Sequence, residues 1–327
     1  MSYRPPFTLT DEIIDLLAKV SHALGRLDHL QHSPQAIQLR KISQIKTITG
    51  TLQIEGNTLN EQQITAVLEG KTVLAPMREI SEAQGAILLY QQADSFNYQN
   101  QEHLLQAHRL LMGDLLNRAG QYRHKAVGVY GAEGVGHIAP PANQVSGLMA
   151  ELFDWLNTTT THPLISSSVF HYEFEFIHPF EDGNGRMGRF WQYLMLNHWN
   201  AVFSLIPVEN MIKSKQQDYY KALEQSGAAG ESTLFIVYMC QTILAAISSL
   251  PISDQVSDQV SDQVKKMLTV LPDDWLSAAE IMQLLGLSHK PTFRKNYLEP
   301  ALKQHSIEMQ YPDSPRSPKQ KYRKHSI

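Results

Sequence analysis

Apolar positions recur every three or four residues through most of the chain. Ile13, Leu16, Leu17 and Val20 form one set, Ile42, Ile45, Ile48 and Leu52 a second, and Ile64, Val67 and Leu68 a third. That spacing is the mark of amphipathic helices. The same pattern predicts helices over 82–94, 102–116, 144–157, 163–178, 190–199, 213–225 and 233–250, with Pro, Gly and Asn marking the loops between them. One stretch breaks the period. Residues 125–138 alternate apolar and small positions around a glycine-rich middle and end at Pro140 and Pro141, which predicts a β-hairpin. The expected fold class is therefore mostly α, with one hairpin.

Beyond residue 250 the pattern changes. Ser-Asp-Gln-Val is written three times in succession between Ser253 and Val264, and its valines at four-residue spacing drift slowly around a helix. The segment is otherwise polar and reads as a partly helical linker. Two short helical patterns follow about Gly286, and then a wing-like stretch over 311–322, which together predict a small winged helix. The expected division is a helical region over 1–110, a core over 111–250, a linker over 251–265 and a winged-helix domain over 266–327.

Composition narrows the class. With 43% hydrophobic and 18% charged residues, 327 residues suffice for one large core and a satellite. No apolar run approaches the roughly 18 residues of a membrane span, and the N-terminus lacks the apolar segment of a signal peptide, so the expected location is the cytoplasm. The single cysteine, Cys240, lies in an apolar run and reads as a buried hydrophobe, which excludes internal disulfides and zinc chemistry. A net charge of −4 does not favour nucleic acid for the whole chain. The end of the chain differs: from His289 onward, nine basic residues (Lys290, Arg294, Lys295, Lys303, Arg316, Lys319, Lys321, Arg323 and Lys324) face three acidic ones (Glu299, Glu308 and Asp313).

Chemistry concentrates between His178 and Arg189. The helix that carries Val169, Phe170, Tyr172 and Phe176 must end near His178, because Pro179 disfavours the α conformation before it. Asp182, Gly183, Asn184, Gly185 and Arg186 follow, and two glycines there let backbone N–H groups approach an anion at the start of a new helix. Arg186 and Arg189 share one face of its opening turn and can clamp phosphates. Two cations at a helix N-terminus oppose its dipole, so they argue for a bound polyanion. Asp182, beside the glycines, suits Mg²⁺. His178 suits a general base for a hydroxyl.

The segment resembles the signature of the Fic (filamentation induced by cAMP) family, His-x-Phe-x-Asp/Glu-Gly-Asn-Gly-Arg-x-x-Arg, and matches it at every specified position from His178 to Arg189. The similarity extends over roughly residues 1–250. It implies a Fic helical core and transfer of AMP from ATP to a Ser, Thr or Tyr hydroxyl of a protein target, with His178 as base and Asp182 as the Mg²⁺ ligand. Glu181, Asp182, Gly183, Asn184, Gly185, Arg186 and Arg189 would surround the nucleotide, and Phe180 would anchor the loop. The hairpin, with Val127, Val129 and Tyr130, resembles the family's target-binding flap. Tyr219 and Tyr220 are candidates for the adenine end, since the Asn found near this pocket in relatives has no evident counterpart around Lys215 or Gly227. Self-modification and a homodimer are further expectations by analogy.

A second resemblance lies upstream. The stripe of Ile45, Ile48 and Leu52 continues at the same spacing to Glu55, and Gly56 follows as a helix terminator. A carboxylate on a buried face at the negative end of a helix calls for a cation. Thr51, Glu55 and Gly56 match the Fic inhibitory motif Ser/Thr-x-x-x-Glu-Gly/Asn, which implies that Glu55 pairs with Arg189 and blocks productive ATP binding. The rival readings are removal of AMP at the same site, transfer of phosphocholine or another nucleotide, and a nucleotide-sensing DNA-binding regulator acting through the winged helix.

Overall fold

The computed structural model describes residues 3–27, 30, 36–131, 134–250, 263–264, 266–272, 274–303, 306–312, 314, 317 and 319–324. The chain divides into two compact units, Met1–Leu250 and Pro251–Ile327.

The first unit contains α1 (Asp11–Gly25), α2 (Ala36–Ile54), α3 (Glu61–Leu68), α4 (Met77–Gln91), α5 (Gln101–Met112), β1 (Gly128–Gly131), β2 (Gly134–Ile138), α6 (Val145–Thr158), α7 (Pro163–Ile177), α8 (Asn184–Trp199), α9 (Val208–Ser214), α10 (Gln216–Ala229) and α11 (Thr233–Ser248). Local chemistry sets many of the boundaries. Thr10 caps α1 by accepting from the Ile13 N–H, and Asn60 and Gln63 form a reciprocal capping box on α3. Pro163 occupies the first turn of α7, where a missing N–H costs nothing. The stretch predicted as one helix over 213–225 is two, because the chain breaks at Lys215 between α9 and α10.

Helices α7 and α8 pack against each other at the centre. Phe170, Phe174, Phe180, Phe190 and Trp191 are fully buried there. Helix α7 is covered on nearly every face from Leu164 to Phe174, the polar Ser166, Ser167, Ser168, His171 and Glu173 included.

Helix α2 departs from its predicted stripe. Ile48 and Leu52 are buried, but Ile42 is exposed, and a second face of small polar residues is buried against α9 and the preceding turn. Ser43 Oγ donates to the Leu205 carbonyl at 2.7 Å and Thr47 Oγ1 to Glu209 Oε2 at 3.0 Å. Gly50 permits the approach: a β-carbon there would stand 2.7 Å from the backbone nitrogen of Asn210.

The hairpin of β1 and β2 is antiparallel, with Val129 opposite His137 and Tyr130 opposite Val135, and an irregularity between Val129 and Tyr130. Each strand has one partner strand among the described residues.

In the second unit, β3 (Leu276–Ser277), β5 (Lys321–Lys324) and β4 (Ile307–Met309) form an antiparallel sheet with β5 in the middle. Helical segments at 266–270, Ala278–Leu284 and Lys290–Phe293, the last continued through Glu299–Lys303, cover a core of Met267, Ile281, Phe293, Tyr297 and Tyr322. Helix, strand, two helices and two further strands form a winged helix. The Ser-Asp-Gln-Val repeat lies outside the described residues except for Gln263 and Val264, and Val264 is buried in this core.

The close approach at Gly50 yields a test. Gly50→Ala should lower the stability measured by urea denaturation by about 1–3 kcal/mol through overpacking. Gly147→Ala, in α6 with open space where the β-carbon would stand, should raise stability by about 0.5–1 kcal/mol.

Candidate functional site

The site is assembled where α7 ends and α8 begins. Pro179 bars His178 from continuing α7, and His178 adopts φ 50°, ψ 61°, the positive φ of a non-glycine residue that occurs at no other described position. Such a conformation costs a β-carbon-bearing residue on the order of 1 kcal/mol. Hydrogen bonds hold it: the His178 N–H donates to Phe174 O at 2.9 Å, and its carbonyl accepts from Arg123 Nε at 2.7 Å.

The loop behind His178 is closed by Asn184, whose Oδ1 accepts from the Phe180 N–H at 2.9 Å and whose Nδ2 donates to Phe180 O at 3.0 Å. The Phe180 ring is buried and stacks on His108, with centroids 3.7 Å apart and planes at 9°. His108 Nδ1 accepts from the Gly120 N–H at 2.8 Å, which leaves the proton on Nε2, and Nε2 donates to Asp182 O at 3.0 Å. Burial pushes His108 down to about 4, so it remains a neutral prop.

Gly183, at φ 82°, turns the chain into α8 and provides no side-chain cap, so the first N–H groups of α8 are free to face an anion. In this structure an anion is there. A β-carbon on Gly185 would collide with Glu55 Oε1 and lie 3.0 Å from Arg189 Nη1. Glu55 thus lies over the glycine turn, held by a 2.7 Å hydrogen bond from Arg189 Nη2. Thr51 completes the grip on Arg189, its Oγ1 accepting from Nε at 2.9 Å and its carbonyl from Nη2 at 3.2 Å. Arg189 is 2% exposed. Burial works against its charge, but Glu55, Tyr219 and Glu175 outweigh that and raise its pKa.

The Glu55 side chain is about one third exposed (35%), so it does not lie on a buried face as the stripe suggests. Helix α2 ends at Ile54, Glu55 sits in the following turn, and Gly56 takes φ 89°. The orphan carbonyls at that end have partners of their own: Lys213 Nζ donates to Gln53 O at 2.9 Å, and Gln216 Nε2 and Tyr220 OH donate to Ile54 O at 2.8 and 3.2 Å.

Arg186 is buried as well. Its Nη2 lies 3.2 Å from Asp182 Oδ1 and its Nη1 3.6 Å from Glu82 Oε1. Asp182 also accepts from the Gly183 N–H at 2.6 Å and from Arg78 Nη2 at 3.2 Å. The dipole conflict posed by two arginines at this helix start is therefore met by three carboxylates, Asp182, Glu82 and Glu55. Glu82 in turn accepts from Asn57, two residues past Glu55, at 3.0 Å.

The remaining predicted residues are more scattered. Glu181 is exposed, 3.4 Å from His124 Nδ1. Tyr219 is buried, its hydroxyl 3.1 Å from His171 Nε2, while Tyr220 is half-buried at the end of α2. Val127 is half-buried just before β1, and Val129 and Tyr130 lie on β1.

Arg78, Glu82, His108, Arg123 and Lys213 were not singled out by the sequence. Each sits in an ordinary polar or amphipathic stretch, and only the fold brings it to the site. Two buried carboxyls beneath the site were also missed. Burial raises Glu175 to about 8, partly offset by Arg189, and raises Glu209 to about 7 despite hydrogen bonds from Thr47 and Tyr90.

Comparison with known proteins gives a consistent set of relatives. Residues 98–196 match the Fic/DOC family, and residues 262–324 match the C-terminal domain of Filamentation induced by cAMP protein Fic-like. A crystal structure of a Fic family protein from Desulfovibrio desulfuricans G20 is 43% identical, with a TM-score of 0.75 over 99% of both chains. Protein adenylyltransferase fic-1 of Caenorhabditis elegans is 28% identical over 244 residues, which are 71% of this chain and 46% of that protein. Protein adenylyltransferase Fic of Culex quinquefasciatus is 29% identical over 196 residues, 57% of this chain and 38% of that protein. The chain thus spans less than half the length of these two curated relatives.

The buried carboxyls generate a pH prediction. Glu175 and Glu209 are held above the ordinary 4.5, so between pH 4.5 and about 8 these two carboxyls bind more protons in the folded protein than in the unfolded chain. The stability they contribute is fully present below 4.5 and is lost as pH rises through about 7 and about 8. By urea denaturation, the change in stability from pH 5 to pH 8.5 should therefore be less unfavourable in Glu209→Gln than in the parent by on the order of 2 kcal/mol.

Proposed function

The chain belongs to the Fic family, and on that premise we propose that it is a protein adenylyltransferase restrained by its own Glu55. The observation that carries the reading is the seat of Glu55: a carboxylate occupies the Gly185 turn and the Arg189 guanidinium together, where a nucleotide polyphosphate would make the same two contacts. His178 removes the proton from an acceptor hydroxyl, whose oxygen bonds to the α-phosphorus of ATP while the bond to the bridging oxygen breaks and pyrophosphate leaves. Backbone N–H groups at Gly183 to Gly185 and the Arg186 and Arg189 guanidiniums stabilise the charge on the phosphates. The open edges of the hairpin receive the target backbone by strand addition.

Asp182 suits Mg²⁺. Its carboxylate is 39% exposed, and Mg²⁺ needs only one or two protein carboxylates when substrate phosphates supply further oxygens. No cluster of three or more potential metal-ligating side chains occurs among the described residues, so an ion held by Asp182 would take further oxygens from the phosphates and water. Bound there, Mg²⁺ would neutralise phosphate charge.

An accessory nucleic-acid contact is a second reading, favoured by one observation. Lys290, Arg294 and Lys295 are exposed on the third helical segment of the winged helix, and Lys319 and Lys321 are exposed about the wing. Two of the basic residues are partly spoken for, Arg294 by Glu299 at 3.1 Å and Arg323 by Glu308.

Glu55→Gly should raise incorporation of label from α-labelled ATP into protein, and unchanged incorporation would sink the restraint. The same variant should gain more thermal stability from ATP than wild type, since the nucleotide then supplies the missing counter-charge. His178→Ala should abolish transfer with ATP binding intact. AMP release from a pre-modified acceptor, measured for both proteins, tests the reverse reaction. For the second reading, the full chain should bind duplex DNA with an affinity that falls steeply as salt rises, and Lys290→Glu with Lys295→Glu should remove that binding.

A further inference from the structure

We propose that Arg123 is a positioning residue that fixes His178 in register with both feet of the hairpin. The inference rests on the reading of His178 as base and the hairpin as target strand. Arg123 is 3% exposed, yet no carboxylate pairs with it among the described residues. Its donors go to backbone carbonyls. Nε donates to His178 O at 2.7 Å and Nη2 to Ile177 O at 3.2 Å. Nη1 donates to Lys125 O at 3.0 Å, three residues before β1, and Nη2 to Pro140 O at 2.6 Å, two residues after β2. Its own N–H donates to Pro179 O at 2.9 Å.

One guanidinium plane therefore joins, through four carbonyls, three separate places in the backbone: the end of α7 and the two feet of the hairpin. The charge is placed where α7 ends, against carbonyls that carry the negative end of the helix dipole, which is why it can be buried without a carboxylate. A hydrophobic residue would fill the volume without a desolvation cost. Only an arginine offers five donors in a rigid fork that reaches all four carbonyls, whereas a lysine carries its donors on one atom.

The consequence is geometric. Strand addition fixes a target hydroxyl relative to the hairpin, and proton abstraction requires that hydroxyl at hydrogen-bond distance from the imidazole. Arg123 converts position along the hairpin into position relative to His178, and it holds the unfavourable backbone of His178 by its carbonyl.

The test uses the full chain carrying Glu55→Gly, with Arg123→Lys or Arg123→Ala added, α-labelled ATP as probe and the chain's own hydroxyls as acceptor. Thermal melting identifies any variant that fails to fold, and Arg123→Lys is the milder change. ATP affinity by calorimetry and the apparent KM for ATP should stay within about twofold of the parent, while labelling at saturating ATP falls about tenfold or more. Amide exchange at residues 125–140 and 178–180 should accelerate. Labelling by Arg123→Lys at the parent rate would overturn the proposal, as would an ATP affinity that falls in step with the rate. If the parent itself labels nothing, adenylyl transfer fails as a reading. Amide exchange then decides on Arg123 alone, and unchanged protection at 125–140 in both variants overturns its role.

Discussion

A guanidinium with 2% exposure cannot stand without partners, and among the described residues the Arg189 side chain finds its hydrogen bonds at the end of α2 and in the turn after it, through Thr51 and Glu55. Much of the surrounding structure serves that grip. For α2 to deliver Thr51 and Glu55 together it must lie close to the core, and the contact is made by small residues. Gly50 touches the backbone of α9, while Ser43 and Thr47 donate to Leu205 and Glu209. Lys213, Gln216 and Tyr220 then terminate the helix on its last carbonyls. The position of one carboxylate over the glycine turn is set by side chains spread from residue 43 to residue 220.

The start of α8 carries two arginines at the positive end of a helix dipole, an arrangement that would be self-repelling if left alone. Asp182 and Glu82 neutralise Arg186, and Glu55 neutralises Arg189. Glu55 differs from the others in also covering Gly185. In the proposed function, a polyphosphate and Glu55 compete for the same donors, so the exclusion is electrostatic as well as steric. Because Asn57, two residues past Glu55, donates to Glu82, and Glu82 faces Arg186, both arginines are tied to the same turn of chain.

The residues whose chemistry is local were legible in the sequence. Pro179 announces the end of α7, though not the positive φ of His178, the two glycines announce a bare helix start, and Thr51 and Glu55 are spaced one helical turn apart in the sequence. The alternating, glycine-rich stretch announced the hairpin. The parts that were not legible depend on tertiary placement. Arg123 is one arginine in a polar loop, His108 one histidine on an amphipathic helix, and nothing in their neighbours indicates that each closes a loop from below. The second face of α2 was hidden because Ser43, Thr47 and Gly50 are not apolar. Hydrophobic periodicity detects burial against side chains and is blind to close backbone packing. For the same reason Ile42, which fits the stripe, is exposed.

The two partners of the central ion pair are unequally committed. Arg189 is enclosed, while the Glu55 side chain keeps 35% of its surface. Moving Arg189 would expose a cavity and strand Thr51, whereas Glu55 can pass to water, and the cost then falls on the buried Arg189 until another anion meets it. Any release of the site must therefore move Glu55 and leave Arg189 in place, poised for the next anion. Glu55 itself lies beyond the last helical residue, Ile54, in a turn whose φ 89° is taken by Gly56. A glycine there lets the turn rearrange without a β-carbon penalty, while the caps from Lys213, Gln216 and Tyr220 keep the helix before it fixed. The residue whose departure the proposed reaction requires thus lies just outside the fixed helix and is the more exposed partner of the pair.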